Sequence, residues 1–236
     1  MQGKLLRIKH ATLQTCHQAT GLAVVIDVLR AFTTTAYAFT AGVVDFVLVA
    51  GIDQAFALKG AFPYHQLWGE SDGVPIPGFD FGNSPSRLLN RDLRGVHVIQ
   101  RTTTGTRGVV LASHACVILA TGLCNASATV EFIRKSGYTD INLIETGVLE
   151  GGWGDEDAAC ADFIEGLLLN KNVNRNIIIQ RVKDSRSGRY YQQGMDDFPL
   201  KDLECALDID CFDFAMLVEK VEGRPVLKPY SIHDSG

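Results

Sequence analysis

Short runs of Val, Ile, Leu and Phe recur along the chain, each closed by a glycine, threonine or acidic residue, with intervals long enough to hold a helix. The runs at 22–27, 46–50, 96–100, 117–120 and 141–145 are apolar at nearly every position. That pattern belongs to strands covered on both faces rather than to a sheet with one wet side. Helical spacing predicts helices over 33–41, 106–113, 126–135 and 157–169. The last is the clearest, with Ala159, Phe163 and Leu167 beside Cys160, Ile164 and Leu168 on one apolar face. Strands alternating with helices in this way predict an α/β fold.

Residues 70–86, ESDGVPIPGFDFGNSPS, show neither period and read as a long functional or ordered loop. Near the carboxyl end, AMLVEKVEGRPVLKPY predicts two short strands around a Glu222-Gly223 turn, with Pro225 favouring an edge position. A strand, an arginine and three threonines occur twice, at Arg30 with Thr33, Thr34 and Thr35 and at Arg101 with Thr102, Thr103 and Thr104. Duplication and coincidence explain this echo equally well. No linker marks a domain boundary, so the 236 residues read as one unit or as two intimately packed α/β subdomains.

Composition narrows the partners. A hydrophobic content of 46% over this length is enough for a substantial core. The net charge of -5 and the lack of a Lys/Arg-rich run argue against nucleic acid. No stretch reaches the roughly 18 apolar residues that span a bilayer, and the first residues lack the apolar core of a signal peptide. No membrane partner and a cytoplasmic location are therefore expected. The six cysteines show neither CxxC nor a Cys/His zinc spacing, so reduced, mostly buried thiols are expected.

Three segments carry candidate chemistry. In VVIDVLRAFTTT, Asp27 and Arg30 stand where a buried strand gives way to a threonine-rich helix start, a place suited to an anion, with Asp27 able to hold a metal. Asp27 pairing with Arg30 beside a threonine cap explains the same residues structurally. In RTTTGTRG, Gly105 permits a close turn while Arg101 and Arg107 offer planar forks for a tetrahedral anion. The Walker lysine and spacing are absent, and a capped turn with two solvated arginines is the plainer reading. In EGGWGDEDAACADFIEGLL, Asp155, Glu156 and Asp157 open a helix behind a glycine-rich turn. Acidic residues suit any helix start, but three adjacent carboxylates call for a cation. Glu70 and Asp72 are further oxygen donors. No cysteine has the arginine that a cysteine phosphatase loop needs, and Asp208-Ile209-Asp210 follows a predicted helix rather than the strand of an aspartyl-phosphate motif.

In this order and at these intervals, VVIDVLRAFTTT, PGFDFGNSPS, RTTTGTRG and GDEDAACADFIEGLL resemble the 2-phosphosulfolactate phosphatase family. The resemblance implies a three-layer α/β/α fold with a largely parallel or mixed sheet. It implies Mg²⁺-dependent hydrolysis of a small anionic substrate, 2-phospho-3-sulfolactate, to sulfolactate and phosphate, a step towards coenzyme M. Homo-oligomerisation stays open. Carried onto this chain, it makes Asp27, Glu70, Asp155, Glu156 and Asp157 the metal candidates, and Asp27, Arg30, Asp155 and Glu156 the catalytic ones. Arg101, Thr103, Gly105, Thr106, Arg107, Asn83 and Ser84 become substrate contacts, with phosphate on the Asp27 and Arg30 side and the second anion on Arg101 and Arg107. The family often has asparagine at the place of Thr104 and glycine at that of Asp162. Attack by a metal-oriented water and attack by Asp27 itself both remain open.

Overall fold

The computed structural model describes residues 5–149 and 152–233. In chain order its strands are β1 (Arg7–Thr12), β2 (Leu22–Ile26), β3 (Asp45–Val49), β4 (Gln66–Ser71), β5 (Val74–Pro75), β6 (His97–Arg101), β7 (Val117–Thr121), β8 (Asp140–Glu145), β9 (Phe214–Val221) and β10 (Arg224–Ser231). They form one mixed sheet in the order β1-β8-β2-β7-β9-β10-β3-β6-β4-β5. Strands β1, β8, β2 and β7 make one parallel block, and β3, β6 and β4 make another. The antiparallel hairpin β9-β10 joins them, so the two blocks run in opposite directions.

Alternation along the strands explains the layers. On one face, Ala23 and Val25 of β2 and Phe46 and Leu48 of β3 share a core with Phe32 and Phe39 of α1 (Ala31–Thr40) and Val109 of α3 (Gly105–Leu111). On the other, Leu22, Val24 and Ile26 pack against Val130 and Ile133 of α4 (Ala126–Ser136) and Phe163 and Ile164 of α5 (Asp155–Leu168). Val47, Val49, Leu67 and Ile99 pack on Ala55 and Leu58 of α2 (Ile52–Ala61). Thus α1 and α3 lie inside the curl of the sheet, with α4 and α5 outside one block and α2 outside the other. Short helices α6 (Arg175–Asp184), α7 (Arg186–Tyr191) and α8 (Leu200–Ala206) complete the α4/α5 side. The expected strands and helices are present with small shifts at their ends.

Two expectations change. Glu70 lies within strand β4, one residue before its end, instead of opening a loop, and the segment after it contains β5 and a 3-10 helix at Pro85–Leu88. Pro225 is not on an outer edge: β10 lies between β9 and β3, but it pairs with β3 only at Val226 and Leu227. The missing N–H of proline therefore interrupts no ladder bond to β3. All six cysteines are free thiols; Cys116 and Cys211 are exposed and the other four are buried. No helix among the described residues is long and apolar enough to cross a membrane.

His10 of β1 clasps β8 and α5 through Nδ1 to Glu145 at 2.5 Å and Nε2 to Glu165 at 2.8 Å. Burial alone would lower its pKa, but the two carboxylates outweigh it and hold the imidazolium above its ordinary value. A raised histidine pKa adds stability below the unfolded value, about 6.5, and that contribution fades as pH rises through the folded value. His10→Gln should therefore lower Tm at about pH 6 and leave it nearly unchanged at about pH 9, as thermal denaturation at both values would show.

Candidate active site

The ends of β2, β4 and β6 converge although their blocks oppose one another, because the sheet curls around α1 and α3. Asp27 follows β2 directly. Its Oδ1 accepts from the Ala31 N–H at 2.8 Å and its Oδ2 from the Thr104 hydroxyl at 2.9 Å. The carboxylate thus caps α1 itself, while the threonine hydroxyls of that helix turn inward: Thr33 donates to Val28 O and Thr35 to Ala31 O. Gly105 permits the close approach of the second loop, since a Cβ there would lie 2.7 Å from Asp27 Oδ2 and 2.8 Å from Ala31 Cβ. Burial pushes the acid of Asp27 up to about 6; the two hydrogen bonds oppose this, and the charges of Glu70 and Glu156 add to it.

Glu70 is fixed by N–H donors from Thr103 at 2.6 Å and Gly73 at 2.6 Å and by the Thr103 hydroxyl at 2.9 Å. Glu156 is buried in the first turn of α5, and burial raises its pKa against hydrogen bonds from Ser187 and Ser185. Its Oε2 has no hydrogen-bond partner. The neighbouring acids do different things, because successive helical residues point about 100° apart. Asp157 Oδ1 accepts from Val28 N at 2.8 Å and Oδ2 from Gly147 N at 2.7 Å, tying α5 to the loops after β2 and β8. Burial, then the charges of Asp27 and Glu156, push its acid upward. Asp155 faces out and pairs with Arg181 at 2.7 Å, as Asp162 does on the same guanidinium. The run of three carboxylates is therefore not one ligand set. Gly154 starts the helix at φ +82, where a Cβ would meet Gly147 at 2.0 Å; Glu150 and Gly151 of the glycine-rich turn lie outside the described residues.

A cavity of about 480 Å³ is lined by Asp27, Glu70 and Glu156, by Arg30, Asn83, Thr103 and Thr104, and by an aromatic wall of Trp153, Tyr190, Tyr191 and Phe198. Arg30 is only 4% exposed. Its guanidinium lies 5.2 Å from the ring centres of both Tyr191 and Phe198. Nη1 donates to Asp202 Oδ2 at 2.7 Å and Asp197 O at 2.8 Å, and Nη2 to Gly73 O at 2.9 Å. Asp202 had no sequence signal. Its Oδ1 accepts from Ser84 Oγ at 2.8 Å, Ser86 Oγ at 2.6 Å and Ser86 N at 3.0 Å, so Ser84 serves Asp202 instead of the cavity.

The structure does not bring the other two arginines into this cavity. Arg101 Nη1 holds Glu70 O at 2.7 Å, and Arg107 is exposed, with its charge felt by the Cys16 thiol. Neither arginine lines the cavity, so no contact among the described residues supports their assignment to a second substrate anion. Thr106 is also internal: its hydroxyl accepts from Thr102 N at 2.8 Å and closes the turn into α3.

The cavity suits a hard cation. Its donors are oxygens, the acids repel one another, and both Glu156 Oε2 and Asn83 Oδ1 are buried acceptors without a partner. Two clusters among the described residues place three ligand atoms within 4.8 Å of one another, and neither contains Asp27, Glu70 or Glu156. These carboxylates surround the cavity instead of closing on one point. That spacing matches a small ion held by one or two carboxylates, with water and substrate oxygens completing its shell.

A family model described as 2-phosphosulpholactate phosphatase matches residues 8–220. A protein of Bacillus subtilis (strain 168) named probable 2-phosphosulfolactate phosphatase is 39% identical over 165 residues, 69% of this chain and 71% of that protein. Proteins of the same name from Synechococcus sp. (strain JA-3-3Ab) and Carboxydothermus hydrogenoformans are 36% and 38% identical over 59% and 63% of this chain. The matches span 58% and 60% of those two proteins, under two thirds of their length.

Proposed function

The chain belongs to the 2-phosphosulpholactate phosphatase family, and from that premise we propose that it is a phosphoric monoester hydrolase that uses Mg²⁺ to cleave 2-phospho-3-sulfolactate. The observation that carries the reading is the convergence of Asp27, Glu70 and Glu156 on one cavity, with an unpartnered oxygen on Glu156. Asp27 and Glu70 would hold the ion, whose charge offsets that of the phosphate and orients water. Glu156 would take the proton of the attacking water through Oε2 as the new P–O bond forms; the ester P–O bond then breaks and its leaving oxygen takes a proton from solvent, giving sulfolactate and inorganic phosphate. An acid raised by burial is suited to accept a proton near neutral pH.

Arg30 has used both Nη1 hydrogens and one Nη2 hydrogen on Asp202, Asp197 and Gly73. Its Nε–H and second Nη2 hydrogen are left for substrate oxygen. With Arg30 locked in place, the anion meets a preorganised donor that need not reorient during reaction. A cytoplasmic role in coenzyme M formation follows the same reading. Hydrolysis of a panel of small phosphoesters, with and without Mg²⁺, tests it. Turnover of 2-phospho-3-sulfolactate should exceed that of simple phosphoesters and disappear on chelation; full turnover after exhaustive chelation would remove the metal from the reading.

A further inference from the structure

The two parallel blocks leave a second set of ligand atoms at the opposite end of the strands. Asp45 and His97 begin β3 and β6 and are register partners. Gln66 of β4 pairs with Val98 of β6, which sets His65 beside His97 across the next strand. Three residues distant in sequence thus sit on one edge of three adjacent parallel strands, with one ligand atom from each within 4.8 Å of the others. The imidazole rings of His65 and His97 lie 5.1 Å apart at 32°. His97 Nδ1 meets Asp45 Oδ1 at 2.8 Å. That contact engages one oxygen of Asp45 and holds the ring in place, which leaves Nε2 of His97 and the second carboxylate oxygen of Asp45 for a ligand. All three residues are partly buried, so an ion can enter from solvent and still lose part of its hydration shell.

We propose that Asp45, His65 and His97 form a binding site for a borderline divalent transition-metal ion of the Zn²⁺ class, separate from the oxygen-lined cavity. Two imidazole nitrogens and a carboxylate, with a remaining position for water, are the donors such an ion prefers over Mg²⁺. The distance supports separation: Glu70 lies five residues along β4 from His65, about 17 Å at strand rise. Two ammonium groups also face the cluster, and each has its own carboxylate: Lys59 is 3.9 Å from Asp80 and Lys228 is 2.7 Å from Glu219. The cluster has no sequence signature because strand register, not spacing along the chain, assembles it.

The test is calorimetric titration of chelator-stripped full chain with ZnCl₂ in excess MgCl₂, with Co²⁺ absorption reporting the ligand field. One saturable equivalent is expected. Asp45→Asn should weaken it about 10- to 100-fold, and His65→Asn or His97→Gln more, with circular dichroism confirming that each variant is folded. His10→Gln should leave the isotherm unchanged, since His10, Asp162 and Glu165 form the other candidate cluster. No saturable binding, binding indifferent to both His65→Asn and His97→Gln, or loss in His10→Gln alone would each overturn the proposal.

Discussion

Asp27→Asn should lower kcat by about 10³-fold or more while leaving the fold intact, the scale of loss seen when a group acting in the transition state is removed. The amide keeps the shape of the carboxylate. Its oxygen can still accept from Ala31 N–H, and the Thr104 hydroxyl can turn from donor to acceptor for the new NH₂. What disappears is the charge that faces Glu70 and Glu156 across the cavity. In metal-free buffer the same change should raise Tm above neutral pH, because a carboxylate whose acid is pushed up to about 6 costs the folded state stability once it ionises. Below the ordinary carboxylate value of about 4 the advantage should vanish, since the acid is then neutral in both states. A variant that is both stabilised and inactive would mark Asp27 as functional. Near-normal turnover would return it to the role of helix cap.

The second large effect is expected at Asp202. Asp202→Asn leaves Arg30 buried against Tyr191 and Phe198 without its counter-charge. Breaking a buried ion pair on one side costs about 3 to 5 kcal/mol. For a chain of this size that is a fall in Tm of about 6 to 20 °C. The amide cannot serve both sides of its site, because the serine groups on Oδ1 and the guanidinium on Oδ2 are all donors. Lys201→Gln, one residue away, breaks an exposed pair with Glu204 and should move stability by less than about 1 kcal/mol. Differential scanning calorimetry of both variants separates the cases, and equal, small shifts would show that the Arg30 pair is not held dry.

The interior of the fold was readable because β2, β3, β6, β7 and β8 are apolar on both faces, so their signal did not depend on guessing which side meets water. Strand β1, RIKHAT, escaped because it is an edge strand with no buried position. Strand β4 escaped because QLWGES has polar residues at both ends, and its last two residues merge with the proline-rich segment. Asp27, Glu70 and Glu156 were all among the sequence candidates. Their grouping with Asp155 and Asp157 was not resolved, since adjacency along the chain becomes divergence around a helix. Asp202 carried no local sign at all: its meaning depends on a guanidinium 172 residues away.

The hairpin β9-β10 has a consequence for the order of assembly during synthesis. It meets β7 across Ile118 to Ala120 and β3 across Val226 and Leu227, and among the described residues no strand of one block pairs directly with a strand of the other. Every cavity residue, from Asp27 to Phe198, leaves the ribosome before this hairpin does. A nascent chain can therefore contain the whole set of reacting side chains while its two half-sheets are joined by no strand ladder and rely on side-chain contacts such as Asp27 with Thr104, Arg30 with Gly73 and Asp202 with Ser84. The unpaired borders of β7 and β3 are then open strand edges, prone to wrong partners until the final strands arrive.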